Sequence, residues 1–251
     1  MFFSGTLLPL DYHRKLLAAQ DGDLSLYVRS GFDPSHLQVL VAADASARFS
    51  NRGPELYTLI AAHLVSLTRT RPGNYLVFLP SYAMLDEVEA ALRTHAGKGM
   101  LVLRQRPRMK EAQRERFVAQ FGNPRAAGAS LVGLCVLGGV FGESIDPPGE
   151  ALVGVVVVGT GMPRSSAERE VIRSHFDAKG GRGFAYAYTY PGLVKVLQAE
   201  GRLIRTEKDR GVVLLPDNRF LEKELREAFP QEWQVIRTCT LQTMPRLVTR
   251  P

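Results

Sequence analysis

From about residue 37 onward, apolar runs alternate with amphipathic stretches. Short runs rich in β-branched residues read as strands: Leu37–Ala42, Tyr75–Leu79, Met100–Leu103, Ser130–Leu137, Leu152–Val158 and Val212–Leu215. Between them lie stretches of helical period. Glu55–Leu67 places Leu56, Leu59, Ile60, His63 and Leu67 on one stripe, and Tyr82–Thr94 does the same with Leu85, Val88 and Leu92. Lys110–Phe121, Ser165–His175, Pro191–Arg205 and Leu221–Ala228 complete the set of expected helices. Pro72-Gly73 makes a turn, and Gly97–Gly99 stops a helix. Strands separated by helices predict an α/β fold with a parallel sheet covered on both faces. The run ALVGVVVVG at 151–159 is too short to span a membrane and reads as a strand buried on both sides.

The first 35 residues fit this alternation poorly and read as a strand remnant, a short helix and a linker. The last 21 residues, from Gln231, are weakly patterned, and their single tryptophan, Trp233, is expected to pack against the body. With 251 residues and 45% apolar composition the chain can bury a full core. Its net charge of +7 favours an anionic partner such as nucleic acid or nucleotide. Cys135 and Cys239 are the only cysteines and stand far apart, with no paired His or Cys spacing. Two buried thiols in a cytoplasmic protein are expected, and no metal site. MFFSGTLLPL has no basic residues ahead of its apolar run, so it is not read as a signal peptide.

The candidate chemistry centres on Gln198-Ala199-Glu200-Gly201-Arg202-Leu203-Ile204-Arg205. On a continuous helix, Gln198, Arg202 and Arg205 share a face. Guanidinium groups grip phosphate oxygens well, although a solvated basic helix face has the same pattern. A salt bridge to Glu207 or Asp209 is an alternative for Arg205. A phosphate role requires these groups to lie outside the core and near the carboxyl ends of the strands. Gly138 and Gly139 follow a strand and permit close backbone approach. Glu143 and Asp146, three apart, can face one site, or Asp146 can cap a turn ahead of Pro147-Pro148. Ser81 stands where a strand passes into a helix, a position that suits both an N-cap and a phosphate contact. Arg104, Arg106 and Arg108 alternate at strand spacing and could line a nucleic-acid track. The continuation through Arg116 reads as a solvated helix with interleaved Glu111 and Glu115.

Four blocks in register resemble the DinG/XPD family of superfamily 2 DNA helicases: Phe2–Leu7, Tyr75–Tyr82, Leu137–Asp146 with the strand ending Gly159-Thr160-Gly161-Met162-Pro163, and Gln198–Arg205. They are similar to that family's motifs III, IV, V and VI. Two departures stand out: Gly5 in place of a usual alanine, and Ser144 in place of a usual glycine. The resemblance implies a RecA-like second lobe. Residues 1–35 would then be the end of lobe one with the linker, 36–230 the lobe itself, and 231–251 a tail. There is no GxxxxGK[ST] loop in the chain. By resemblance, that loop belongs upstream on lobe one, which would hold ATP and Mg2+, and any iron–sulfur cluster would also lie upstream.

The resemblance further implies single-stranded DNA and the first lobe as partners, with no membrane, and 5′ to 3′ movement. Arg202 and Arg205 would be arginine fingers, and Gln198 would sense the nucleotide. Glu143, Asp146 and Gly201 would face the nucleotide. Ser81, Tyr82, Gly139, Arg104 and Arg106 would face DNA. Two rivals are a degenerate lobe that binds nucleic acid or a partner without motor activity, and a Rossmann-type enzyme suggested by Gly159-Thr160-Gly161. The latter string lacks the full glycine fingerprint.

Overall fold

A computed structural model describes residues 1–97, 99–143, 152–233 and 235–248. Among these, seven strands form one all-parallel sheet in the order β3-β4-β2-β5-β6-β1-β7. The strands are β1 (Leu37–Ala42), β2 (Asn74–Leu79), β3 (Met100–Arg104), β4 (Ser130–Val136), β5 (Gly154–Val157), β6 (Gly211–Leu215) and β7 (Ile236–Cys239). The helices are α1 (Leu10–Leu16), α2 (Pro54–Thr70), α3 (Tyr82–His95), α4 (Glu111–Ala119), α5 (Val140–Glu143), α6 (Ala167–Ala178), α7 (Tyr190–Glu200), α8 (Lys223–Glu227) and α9 (Met244–Leu247).

Period-two side-chain alternation feeds two cores. Val39 and Val41 of β1, Leu76 and Phe78 of β2, and Val155 and Val157 of β5 face one side. There they meet Phe117 of α4, Phe141 of α5 and Leu193, Val196 and Leu197 of α7. Leu40, Val77 and Val156 face the other side, against Ile60 and Leu64 of α2, Leu85 and Val88 of α3, and Met244 of α9. Strands buried on both faces read as continuous apolar runs, which is the pattern of the sequence. Cys135 and Cys239 are buried free thiols, as expected.

Three segments differ from the expectation. Residues 231–251 are not only a tail: Ile236–Cys239 extends the sheet beside β1, with Val39 paired to Ile236 and Ala42 to Cys239. Asp44 secures this addition, because its carboxylate accepts the Leu241 N–H at 2.8 Å and meets His63 Nε2 at 3.0 Å. Second, a π-helical turn over Ala185–Thr189 precedes α7 and buries Tyr186 and Tyr188, with Tyr190 buried at the first position of α7. Third, the helix expected over Pro191–Arg205 ends at Glu200. Gly201 is a poor helix residue, and the Asp209 carboxylate draws the following backbone away by accepting the N–H groups of Arg205 and Thr206 at 2.8 and 2.7 Å.

α7 therefore spans the sheet and delivers the next turn to its far side. At its start, Gly192 packs against Thr160, Gly161 and Met162, just past the carboxyl end of β5. Eleven residues of helix rise about 16 Å. Beyond its end, Leu203 lies on Gly211, the first residue of β6. A β-carbon on Gly211 would sit 2.5 Å from Leu203 Cγ and 2.6 Å from its Cδ1. Gly211→Val is expected to displace Leu203 with the arginines flanking it, and to lower stability by about 1–3 kcal/mol in urea unfolding. A loss below about 0.5 kcal/mol would contradict this packing.

Candidate functional site

All strands run one way, so the loops that follow them share one edge. At the carboxyl ends of β2, β3 and β4 this edge gathers Ser81, Tyr82, Gln105, Gly138 and Gly139. Ser81 caps α3, its hydroxyl accepting the Met84 N–H at 3.3 Å. Such a cap contributes about 1 kcal/mol, so the structural reading of Ser81 holds whatever else it touches. Tyr82 opens α3, half-buried, and its hydroxyl accepts the Gln105 Nε2–H at 2.9 Å. The Gln105 Oε1 accepts the Val136 N–H at 2.8 Å.

Gly138 has φ +72°, the left-handed region where glycine is the default. A β-carbon there would lie 3.2 Å from Lys195 Cδ and 3.4 Å from its Nζ. On Gly139 a β-carbon would meet the Val136 carbonyl at 3.0 Å and Gln105 Nε2 at 3.3 Å. The two glycines thus let the turn after β4 close tightly between Gln105 and the α7 lysine. Neither Gln105 nor Lys195 was singled out in the sequence. Gln105 sits in an arginine run that hid it. Lys195 carried a faint signal, three residues before Gln198 on the same helix.

The arginine track is corrected. Only Arg104 lies in the strand, as the last residue of β3; Arg106 and Arg108 lie in the turn beyond it, Arg108 with φ +56°. Arg104 binds two carboxylates of α3, Asp86 at 2.5 Å and Glu89 at 2.9 Å. Its charge is thereby committed to fastening the edge strand to its covering helix. Arg106 is exposed, and its backbone N–H reaches Met109 Sδ at 3.2 Å. Glu143 closes α5, and Asp146, with Ser144, lies outside the described residues.

Gln198 is half-buried on α7, and Gly201 caps that helix with its N–H on the Leu197 carbonyl at 2.9 Å. Because the helix stops there, Arg202 and Arg205 do not share a helix face with Gln198. Both are half-buried on the turn past Gly201 and remain outside the core. They stand at the amino ends of the strands, on the opposite side of the sheet from Ser81, Tyr82 and Gly139, so the expectation of a carboxyl-end location fails for them. Asp209 binds the Arg205 backbone N–H and so shapes this turn. The backbone N–H groups of Arg205 and Thr206 are taken by the Asp209 carboxylate, and the guanidinium side chains of this turn are of a type that suits anionic oxygen and not a metal cation. Among the described residues no group of His, Cys, Asp or Glu could hold a metal ion.

The segment leading into β1 is tied to the same end. Glu232 accepts the Tyr27 hydroxyl and, at 2.8 Å, the Ser30 N–H. Arg29 Nε donates to Gln231 at 3.1 Å. Beside them Trp233 is buried, as expected, and donates to the carboxylate of Glu200, the last residue of α7. Burial pushes the Glu200 carboxyl up to about 7, the Trp233 hydrogen bond opposes this, and the nearby Glu232 charge adds to it.

A raised carboxyl pKa means that the fold favours the protonated form. The stability it contributes is complete below the ordinary range near 4.5 and is lost as pH rises through 7. The difference in stability between Glu200→Gln and the natural chain is therefore expected to move by about 2 kcal/mol in favour of the variant between pH 5 and pH 8. Thermal unfolding across that range measures it, and a constant difference would contradict the assignment.

A family model described as Helicase C-terminal domain matches residues 64–236. Over 177 residues the chain is 31% identical to a probable ATP-dependent helicase of Methanocaldococcus jannaschii, covering 64% of this chain and 26% of that protein. The human regulator of telomere elongation helicase 1 is 27% identical over 208 residues, 75% of this chain and 17% of the relative. The ATP-dependent DNA helicase DinG of Photobacterium profundum is 29% identical over 158 residues, 61% and 22% respectively. A solved structure titled XPD helicase superposes with a TM-score of 0.71 at 22% identity, over 94% of this chain and 42% of that one. The chain thus spans about a quarter or less of these curated relatives. Among the described residues no helix is long and apolar enough to cross a membrane.

Proposed function

The chain belongs to the helicase C-terminal domain family, as the RecA-like second lobe of a DinG/XPD-type superfamily 2 helicase, and we propose that it serves one half of an ATP-driven DNA motor. In this reading residues 1–35 end lobe one and link it to residues 36–230, which extend through β7 into the 231–251 segment. The motor is cytoplasmic and moves 5′ to 3′.

The observation that carries this reading is the meeting of the incoming linker and the arginine turn at one end of the sheet. Tyr27 and Ser30 bind Glu232, and Trp233 next to it binds Glu200, one residue before Gly201. The linker enters β1 on the side where Arg202 and Arg205 stand, while the residues ahead of it run back along α7, Tyr12 packing on Tyr186 and Tyr190 near the start of that helix; in this reading the first lobe is tethered to both ends of α7. The carboxyl-end location expected of a phosphate role fails for these two arginines, so the finger reading rests on the other lobe bringing its gripped phosphate to this end, where their guanidinium groups would stabilise charge on the transferring group. Gln198 would report on the nucleotide from the last turns of α7, and Gly201 would leave room for it. Magnesium, when bound, neutralises phosphate charge; its ligands would come from the first lobe. The chain's two separated cysteines give it no part in a cluster.

At the opposite edge, Ser81, Tyr82, Gly139 and Arg106 would follow the backbone of a single DNA strand, mostly by charge and hydrogen bonds. Arg104 would act indirectly, by holding β3 to α3. Glu143 and Asp146, beyond the Gly138-Gly139 turn, would couple the two ends. In a protein joined to its first lobe, Arg202→Ala is expected to lower DNA-stimulated ATPase by about three to five powers of ten while leaving single-strand affinity unchanged. The isolated chain is expected to hydrolyse no ATP. Equal ATPase rates for the two proteins would favour the non-motor binding module instead, and a loss of DNA affinity alone would move Arg202 to the nucleic-acid surface.

A further inference from the structure

Gln105 is 5% exposed and hydrogen-bonded through both its amide nitrogen and its amide oxygen. Its orientation follows from chemistry: the Val136 N–H can only donate, so the side-chain atom 2.8 Å from it is the carbonyl oxygen. The amide nitrogen then faces Tyr82 and donates to the phenolic oxygen at 2.9 Å. A phenol oxygen that accepts one hydrogen bond still has its own proton to give. Among the described residues no acceptor takes the Tyr82 proton, and the half-buried ring opens on the carboxyl edge.

We propose that Gln105 is a positioning residue that turns Tyr82 into an outward hydrogen-bond donor aimed at an anionic oxygen of the bound strand. This rests on the reading above that the carboxyl edge follows a single nucleic-acid strand. The amide holds the phenol oxygen from behind and fixes the ring. Its other end fastens β4 one step ahead of the Gly138-Gly139 turn, so strand contact at Tyr82 is linked to that turn through one side chain. An amide is required for this polarity. A carboxylate at the same position would still accept the Val136 N–H, but it would also accept the Tyr82 O–H and reverse the bond, taking the proton away from the strand.

The test is a binding cycle with the full 251-residue chain and a fluorescein-labelled oligothymidylate in low salt, read by anisotropy, with thermal unfolding of each variant alongside. Gln105→Glu and Tyr82→Phe are each expected to weaken binding about tenfold, the scale of one hydrogen bond to a charged group. The double variant should be no weaker than Tyr82→Phe alone. Gln105→Met serves as the contrast. It leaves the Val136 N–H unpaired and so loses more stability than Gln105→Glu, yet it frees the Tyr82 proton and should bind the strand more tightly than Gln105→Glu does. A purely structural glutamine would rank the variants by stability. Unchanged affinity in Gln105→Glu, or an equal loss with and without the Tyr82 hydroxyl, as general charge repulsion would give, overturns the proposal while leaving the nucleic-acid edge in place. Absence of binding by the natural chain would remove that edge and the proposal together.

Discussion

Parallel strand pairing is the constraint on which this structure depends. From β3 at one edge to β7 at the other, every neighbouring pair of strands runs in the same direction. The chain must therefore return across the sheet after each strand, and both faces must be covered. Every segment leaving a strand emerges at one edge, and every segment entering one emerges at the other. The separation between Tyr82 and the turn of Arg202 follows from this alone. α7 is the return path that joins the two ends, touching the carboxyl edge through Gly192 and Lys195 and handing the chain to the amino edge, where Leu203 in the following turn lies on Gly211.

Two loops at the carboxyl edge are held by buried polar side chains paired to backbone and side-chain groups, since an unpaired buried group costs about 1–3 kcal/mol. Gln105 bridges the ends of β2, β3 and β4. Farther along, Asp217 is fully buried after β6, where it takes the Arg219 guanidinium at 2.7 and 3.0 Å and the Ala47 N–H at 3.2 Å. After β1 the fastening is made from the surface, where exposed Asp44 meets the buried His63 ring and accepts the Leu241 N–H. Burial keeps the His63 imidazole below its ordinary pKa, hence neutral, and the Asp44 contact opposes that shift only in part. These fastenings give the edge fixed backbone positions against which exposed groups can work.

Much of the fold was legible because strong periodicity leaves little choice. Leu37–Ala42 matches its strand residue for residue, and Tyr82 and Ser81 mark the start and cap of α3 as read. The errors fall where a distant group overrides a local pattern. The Gln198–Arg205 helix looked continuous because helical spacing was counted through Gly201, while the Asp209 carboxylate that bends the backbone acts from outside the repeat. Ile236–Cys239 is a four-residue edge strand with one fully buried side chain, too short to alternate visibly. Arg104 looked free because its carboxylates stand 15 and 18 residues earlier, on another element. The π turn over Ala185–Thr189, which buries Tyr186 and Tyr188 ahead of Tyr190, has no sequence period to announce it. Of the site, the residue types were legible, but their division between opposite ends of the sheet was not.

The most direct test of this two-ended account is backbone amide hydrogen exchange on the chain, with and without a saturating single-stranded oligonucleotide. The account predicts slower exchange around residues 81–85, 104–106 and 137–140 and none around 201–209. Protection centred on the 201–209 turn, with the carboxyl edge unchanged, would contradict it.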